Sequence, residues 1–235
     1  MKKAYLAILA AAAVALAAPA HAQNTLLANP SFELDADSNN FPDNWAGFDQ
    51  AGAGFQGGWT TAFAQNGLHS VRFDNRSAAG TFEGIVAQNS AWTAASPSGP
   101  HEFLAVTPGA TMSFSGFALN DPTTPITGAA SAVFQLEFYN STFGVDANLF
   151  NAWGHSATLN GNSLSTSQWT QFSTGNVVVP TGAAYAKFTV VESPNGNTGS
   201  FYVDNLAAVP EPSSLAMWSI SGLGLLGMLA RRKKA

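Results

Sequence analysis

Apolar and polar side chains alternate with a period of two in several stretches of the chain. Over residues 131–140, Phe134, Leu136 and Phe138 alternate with Gln135, Glu137 and Tyr139. Over 184–190, Ala186, Phe188 and Val190 alternate with Tyr185, Lys187 and Thr189. Such a period puts one set of a strand's side chains on a buried face and the other on a wet face. Short runs rich in Phe, Val, Thr and Tyr, separated by Gly, Pro, Asn and Ser, predict further strands over 25–32, 70–74, 80–86, 111–119, 168–174, 176–180 and 200–206. About nine strands without crossover helices predict an all-β fold, an antiparallel β-sandwich of the jelly-roll kind.

Two longer apolar runs break this pattern, one at each end. Lys2 and Lys3 precede a run over 4–18, and Ala20-His21-Ala22 supplies small residues at the −3 and −1 positions. This predicts a Sec-type signal peptide over 1–22, removed by signal peptidase before Gln23. The other reading, an N-terminal anchor, requires a longer run. At the far end, Val209-Pro210-Glu211-Pro212-Ser213-Ser214 leads into an apolar run over 215–230, closed by Arg231, Arg232, Lys233 and Lys234. Counted from Ser213, this predicts a membrane helix of about 27 Å at roughly 1.5 Å per residue, slightly short of a hydrocarbon core of about 30 Å. The basic cluster stays cytoplasmic under the positive-inside rule, which leaves the stretch between the two runs on the opposite side. Pro210 and Pro212 keep the junction extended and free of regular hydrogen bonds, as a protease site requires. The organisation expected is a signal peptide over 1–22, a β-sandwich over 23–208 and a C-terminal signal over 209–235, with its membrane helix at 213–230 and basic tail at 231–235.

Composition narrows the function classes. Only 10% of the residues are charged, and six of the nine basic ones lie at the two ends. The stretch 23–208 therefore holds three basic residues, Arg72, Arg76 and Lys187, against thirteen acidic ones. Nucleic acid is not an expected partner, because neutralising phosphates requires clustered Lys and Arg. The absence of Cys excludes disulfides, Cys-ligated zinc and a thiol nucleophile. Catalysis has no motif to stand on: G-x-S-x-G and H-E-x-x-H do not occur, and His69, His101 and His155 are widely separated. Two G-x-G-x-x-G matches, at 52–57 and 222–227, lack the strand-to-helix context that dinucleotide binding needs. Asp35, Asp37 and Asn39 imitate the start of an EF-hand loop, but Asn40 stands where Gly is needed and Ala46 where Glu is needed. No enzyme is expected.

The order Pro210-Glu211-Pro212, apolar helix, Arg/Lys cluster closely resembles the PEP-CTERM sorting signal of Gram-negative bacteria. The resemblance implies that an exosortase, a membrane-embedded cysteine protease, recognises Pro210, Glu211 and Pro212, cleaves near them, and releases or re-attaches the product outside the inner membrane. Producers of such proteins usually make exopolysaccharide as well. A permanent anchor is the alternative, and it would not need Pro-Glu-Pro.

A second resemblance covers the stretch between the two ends. Asn24-Thr-Leu-Leu-Ala-Asn29-Pro30-Ser31-Phe32-Glu33, followed by Pro42-Asp43-Asn44-Trp45, resembles the opening of the jelly-roll carbohydrate-binding modules of families 4 and 9. Tyr202-Val203-Asp204-Asn205-Leu206 resembles their closing strand. Gly67-Leu-His69-Ser70-Val71 resembles an internal G-x-x-S-[LV] element, and Trp169 with Phe172 a late W-x-x-[FY] pair. The resemblance implies that Glu33 and Asp204 help hold a structural Ca²⁺, which two carboxylates and backbone carbonyls can bind; the alternative is a pair of hydrogen-bonded strand-end residues. It also implies that Trp45 and Trp169 are core residues. Trp59, Trp92, Tyr139 and Trp153 fall in or beside polar segments and are the candidate sugar platforms, each alternatively a core or rim residue. The expected protein is an exported, exosortase-processed, non-catalytic one of the cell surface or extracellular matrix, associating with exopolysaccharide. A structural coat or biofilm component without a sugar ligand is the alternative, and a secreted carbohydrate-active enzyme a more distant one.

Overall fold

The structure, a computed structural model, describes residues 26–49, 55–75, 83–87, 104–127, 130–140, 154–193 and 199–210. The signal-peptide segment, Trp92, Trp153, Glu211, Pro212 and the C-terminal apolar run with its basic tail lie outside the described residues.

Two antiparallel sheets face each other. One contains β1 (Trp45–Asp49), β4 (Glu83–Ala87), β11 (Tyr185–Ser193), β7 (Ser131–Tyr139) and β8 (Gly154–His155) in that spatial order, with β5 (Leu104–Ala105) also on β11. The other runs β10 (Val177–Val178), β6 (Thr111–Asn120), β12 (Gly199–Pro210), β3 (Ser70–Asn75), β2 (Gly58–Thr60), with β9 (Thr170–Ser173) also on β6. The alternating residues behave as their period requires. Phe134, Leu136 and Phe138 of β7 and Ala186, Phe188 and Val190 of β11 are buried between the sheets. They meet Phe114 of β6, whose ring lies 5.6 Å from that of Phe134 and 5.5 Å from that of Phe188. Phe73 of β3 stacks on Phe201 of β12 at 4.6 Å. Such pairs contribute about 0.5–1.5 kcal/mol each beyond the area they bury. The fold is an all-β antiparallel sandwich.

Four expectations change. Residues 26–32 form turns rather than a strand. Pro30 has no N–H to donate to a ladder, and Asn29 and Phe32 sit at φ of 47° and 59°, which breaks the extended repeat. The segment is still tied to β12 by backbone bonds that include Leu26 N–H to Ala208 O (2.8 Å) and Leu206 N–H to Pro30 O (2.7 Å). The polar face of β7 and β11 is not wet, since Glu137 and Thr189 are buried. Trp169 is not a core residue: it is half-buried and stands outside the core cluster, whereas Trp45 is 5% exposed and packs edge-on against Phe32 at 5.1 Å. The last strand also runs to Pro210, so the first residues of the C-terminal signal belong to the sheet: Val209 is opposite Ser113 and Pro210 opposite Met112. A bulge lies between Asp204 and Ala207, where Asn205 adopts φ 49°. Gly116 faces it, and a Cβ there would lie 2.1 Å from Leu206 Cδ2, so any larger residue requires the Leu206 side chain to move.

Candidate functional site

Glu33 and Asp204 are brought to one loop. Asp204 Oδ2 accepts the N–H groups of Gln65 (2.6 Å) and Asn66 (2.9 Å), and Oδ1 accepts that of Asn205 (2.5 Å). Glu33 accepts the N–H groups of Leu68 (3.0 Å) and His69 (2.9 Å) on Oε1 and pairs with His69 Nδ1 through Oε2 (3.2 Å). Trp59 completes the clasp: its indole stacks on His69 at 4.0 Å and donates to Phe32 O at 2.5 Å. The clasp joins residues 29–33, the 63–69 loop and β12, which are remote in sequence.

Its electrostatics are asymmetric. Burial pushes the Asp204 carboxyl up to about 6; the three N–H donors partly offset this, and the charge of Glu33 adds to it. Burial also works to raise Glu33, but the N–H and ring of His69 and the N–H of Leu68 outweigh it and hold Glu33 below the usual carboxylate range. A fully buried Asp beside a second carboxylate fits the charge of a divalent cation. Both oxygens of Glu33 and both of Asp204 already face N–H donors, so such an ion would have to displace some of them.

A second polar layer covers the outer face of the β7–β11 sheet. Glu137 is buried there, and its carboxylate accepts from Gln135 Nε2, Tyr139 OH and, at 3.1 Å, Lys187 Nζ. Lys187 also lies over the Tyr139 ring, 5.7 Å from its centroid. Burial, and then the Glu137 charge, push the Tyr139 phenol far above its ordinary range, so this hydroxyl remains a donor. Beside them Thr189, opposite Gln135 in register and 0% exposed, has a hydroxyl without a hydrogen-bond partner among the described residues. A planar ring, a carboxylate, an amide and an ammonium are the groups that engage sugar rings and their hydroxyls; the Thr189 hydroxyl lies beneath them, out of reach. Of these, site reading of the sequence singled out Tyr139 alone. The others carried the same signal, a polar residue alternating with core residues.

The remaining aromatic candidates differ. Trp59 is half-buried, packs against the core and serves the clasp with its N–H and one ring face. Trp169, set aside as core, is half-buried immediately before β9, and no described residue bonds its indole N–H.

Two further clusters are structural. Arg72 on β3 bonds Asp74 (3.1 Å), Asp121 (3.2 Å) and Ser200 (2.9 Å), while Tyr202 OH donates to Asp121 (3.0 Å). Burial would raise Asp121, but bonds from Thr123, Thr124 and Tyr202 hold it well below the usual range. Burial, followed by Asp121, pushes Tyr202 up to about 12. Asp35, Asp37 and Asp43 place carboxylate oxygens within 4.8 Å of one another. Those oxygens accept N–H groups of their own loop, as between Asp35 and Asn39 (3.1 Å) or Asp43 and Ala36 (3.0 Å).

No curated protein matches the chain. Solved structures match its fold. An arabinose-bound α-L-arabinofuranosidase, MgGH51, is 16% identical with a TM-score of 0.52, over 79% of this chain and 26% of the enzyme. The enzymatically active domain of tailspike protein 4 of bacteriophage CBA120 is 12% identical with a TM-score of 0.50, over 80% of this chain and 21% of the other. The CBM22-2 xylan-binding domain of Paenibacillus barcinonensis Xyn10C is 19% identical with a TM-score of 0.46, over 77% of this chain and 98% of the module. The chain thus spans well under half the length of the two enzymes. Residues 208–234 match the PEP-CTERM protein-sorting motif, so an exported-protein signal begins within the last three residues of the final strand of an all-β sandwich.

Proposed function

We propose that this is an exosortase-processed protein of the cell surface or extracellular matrix whose sandwich associates, without catalysis, with exopolysaccharide. The observation that carries the reading is the polar layer around Tyr139: its ring and the side chains of Gln135, Glu137 and Lys187 converge on one sheet face of an exported domain. The sandwich also shares its fold with part of an arabinose-bound enzyme. The net negative charge of the stretch 23–208 disfavours polyanionic glycans at low salt, which points to a neutral or weakly charged polysaccharide. Calcium at the Glu33–Asp204 clasp belongs to the same proposal. Its support is the buried Asp204 carboxylate and the part-exposed Glu33 carboxylate on the same loop, and its role would be to tie the opening segment to the closing strand.

The mature protein, purified from its own cells, is run in affinity electrophoresis through gels containing neutral polysaccharides. Retardation by at least one of them, lost in Tyr139→Ala under conditions where that variant still melts cooperatively above the assay temperature, supports the proposal. Retardation by none of them overturns it and leaves a structural coat component.

A further inference from the structure

We infer that the pole of the sandwich from which the sorting signal leaves is a membrane-docking surface, and that in the precursor it rests on the phospholipid interface. The inference rests on the sorting reading above and adds the surface that faces the bilayer.

Both ends of the domain emerge at this pole. Pro210 is in register with Met112 at the end of β12, and Leu26 is pinned beside it through its N–H bond to Ala208 O. Leu26, Leu104, Val106, Ala110, Met112 and Pro210 line a cavity of about 240 Å³ there. Next to it β10 presents Val178, 59% exposed and opposite Thr111.

The residues that line this cavity carry no charge; the nearest described charges are Lys187 and Glu137, which neutralise each other at 3.1 Å one residue beyond Ala186 and Phe138, and Glu211 follows Pro210 in the chain. The segments 104–120, 174–186 and 206–210 contain no Asp, Glu, Lys or Arg, in a stretch with thirteen acidic residues. The Arg72, Asp74 and Asp121 network sits at the other end of β12, where Asp121 N–H bonds Ser200 O. An uncharged apolar end on an otherwise acidic body suits a phospholipid interface, because anionic headgroups repel the acidic remainder and orient the domain.

The length of chain beyond the last strand sets the distance. From Pro210 to Ser213, where the predicted membrane helix starts, three residues reach at most about 10 Å at roughly 3.3–3.6 Å each. The anchored precursor therefore cannot hold this pole away from the headgroups.

The protein contains no Cys, so one introduced thiol labels a single place. Full-length precursor carrying Val178→Cys or, at the far end of β12, Thr127→Cys is labelled with an environment-sensitive fluorophore. It is then reconstituted into phosphatidylethanolamine/phosphatidylglycerol vesicles containing a nitroxide-bearing lipid. Flotation with the vesicles reports anchoring separately, so a failure of the sorting reading is distinguished from a failure of docking. The expected result is quenching at position 178 about threefold or more above that at 127. It should persist when a Gly-Ser linker of about twelve residues, roughly 40 Å extended, is inserted after Pro210. Equal quenching at the two positions, or quenching that disappears with the linker, overturns the proposal.

Discussion

Glu33 and Asp204 grip one loop from its two ends, Asp204 through the N–H groups of Gln65 and Asn66 and Glu33 through those of Leu68 and His69. Between the two grips lies Gly67 at φ 79°. The opening segment of the domain is thereby tied to its closing strand through a third segment.

Gly67→Ala should lower stability by about 1–3 kcal/mol, the cost of forcing a side chain into a left-handed conformation. A Cβ there would also lie 2.4 Å from Glu33 Oε1. The check is the urea midpoint of the mature protein. An unchanged midpoint would show that the loop can leave Glu33 freely.

The pH dependence has a definite sign. The Asp204 carboxyl, pushed up to about 6 in the fold, titrates near about 3.9 when unfolded, so the native state holds the proton more tightly. Stability from this group is full below about pH 4 and is lost as pH rises through about 6. Glu33, held below its usual range, contributes stability above about pH 4.3 that is lost as pH falls through its lower folded value. In chelator, Asp204→Asn should therefore flatten the fall of the melting temperature between about pH 4 and 6. An identical profile for the variant contradicts the assignment.

If calcium binds at the clasp, the mature protein gains about 2.7 kcal/mol when free ion stands a hundredfold above its dissociation constant. Chelation should lower the melting temperature, and Asp204→Ala should abolish that response. A melting curve that chelator does not move means that the N–H donors complete the clasp alone.

The aromatic residues should separate by variant. Trp59→Ala removes the stack on His69 and the bond to Phe32 O, and is expected to lower stability by about 3 kcal/mol. Alanine at Tyr139, Trp169, Trp92 or Trp153 should weaken polysaccharide binding by about 2 kcal/mol or more at the true platform, under conditions where the variant still melts cooperatively above the assay temperature. If all four bind as the unaltered protein does, sugar association has no aromatic mechanism here.

Processing is checked by intact mass. The mature protein should begin at Gln23 and end near Pro210, the last residue paired in the sheet. A surface-located product that retains 215–230 would instead identify a plain anchor.

Much of the architecture was legible because period-two patterning is local. The core faces of β7 and β11 follow from alternation, since a strand turns every second side chain to the same side, and β6 and the first half of β12 follow from local runs of strand-forming residues. The strands at Trp45–Asp49, Gly58–Thr60, Leu104–Ala105 and Gly154–His155 were not legible. They are short or glycine-bearing, and a short strand exists only because a neighbour supplies its hydrogen bonds.

The sites divide along the same line. By itself the sequence determined the sorting motif, the charge distribution, the absence of thiol chemistry and the all-β class, because each depends on residue identity or on spacing within one segment. It also marked Glu33, Asp204 and Tyr139 as worth locating. Only the tertiary structure decided that Glu33 and Asp204 share the 65–69 loop, that Glu137 and Thr189 are buried on a face expected to be wet, and that Trp169 is half-buried outside the core. Those facts depend on what other segments lay across a strand, and that is set by long-range packing rather than by the pattern within the strand itself.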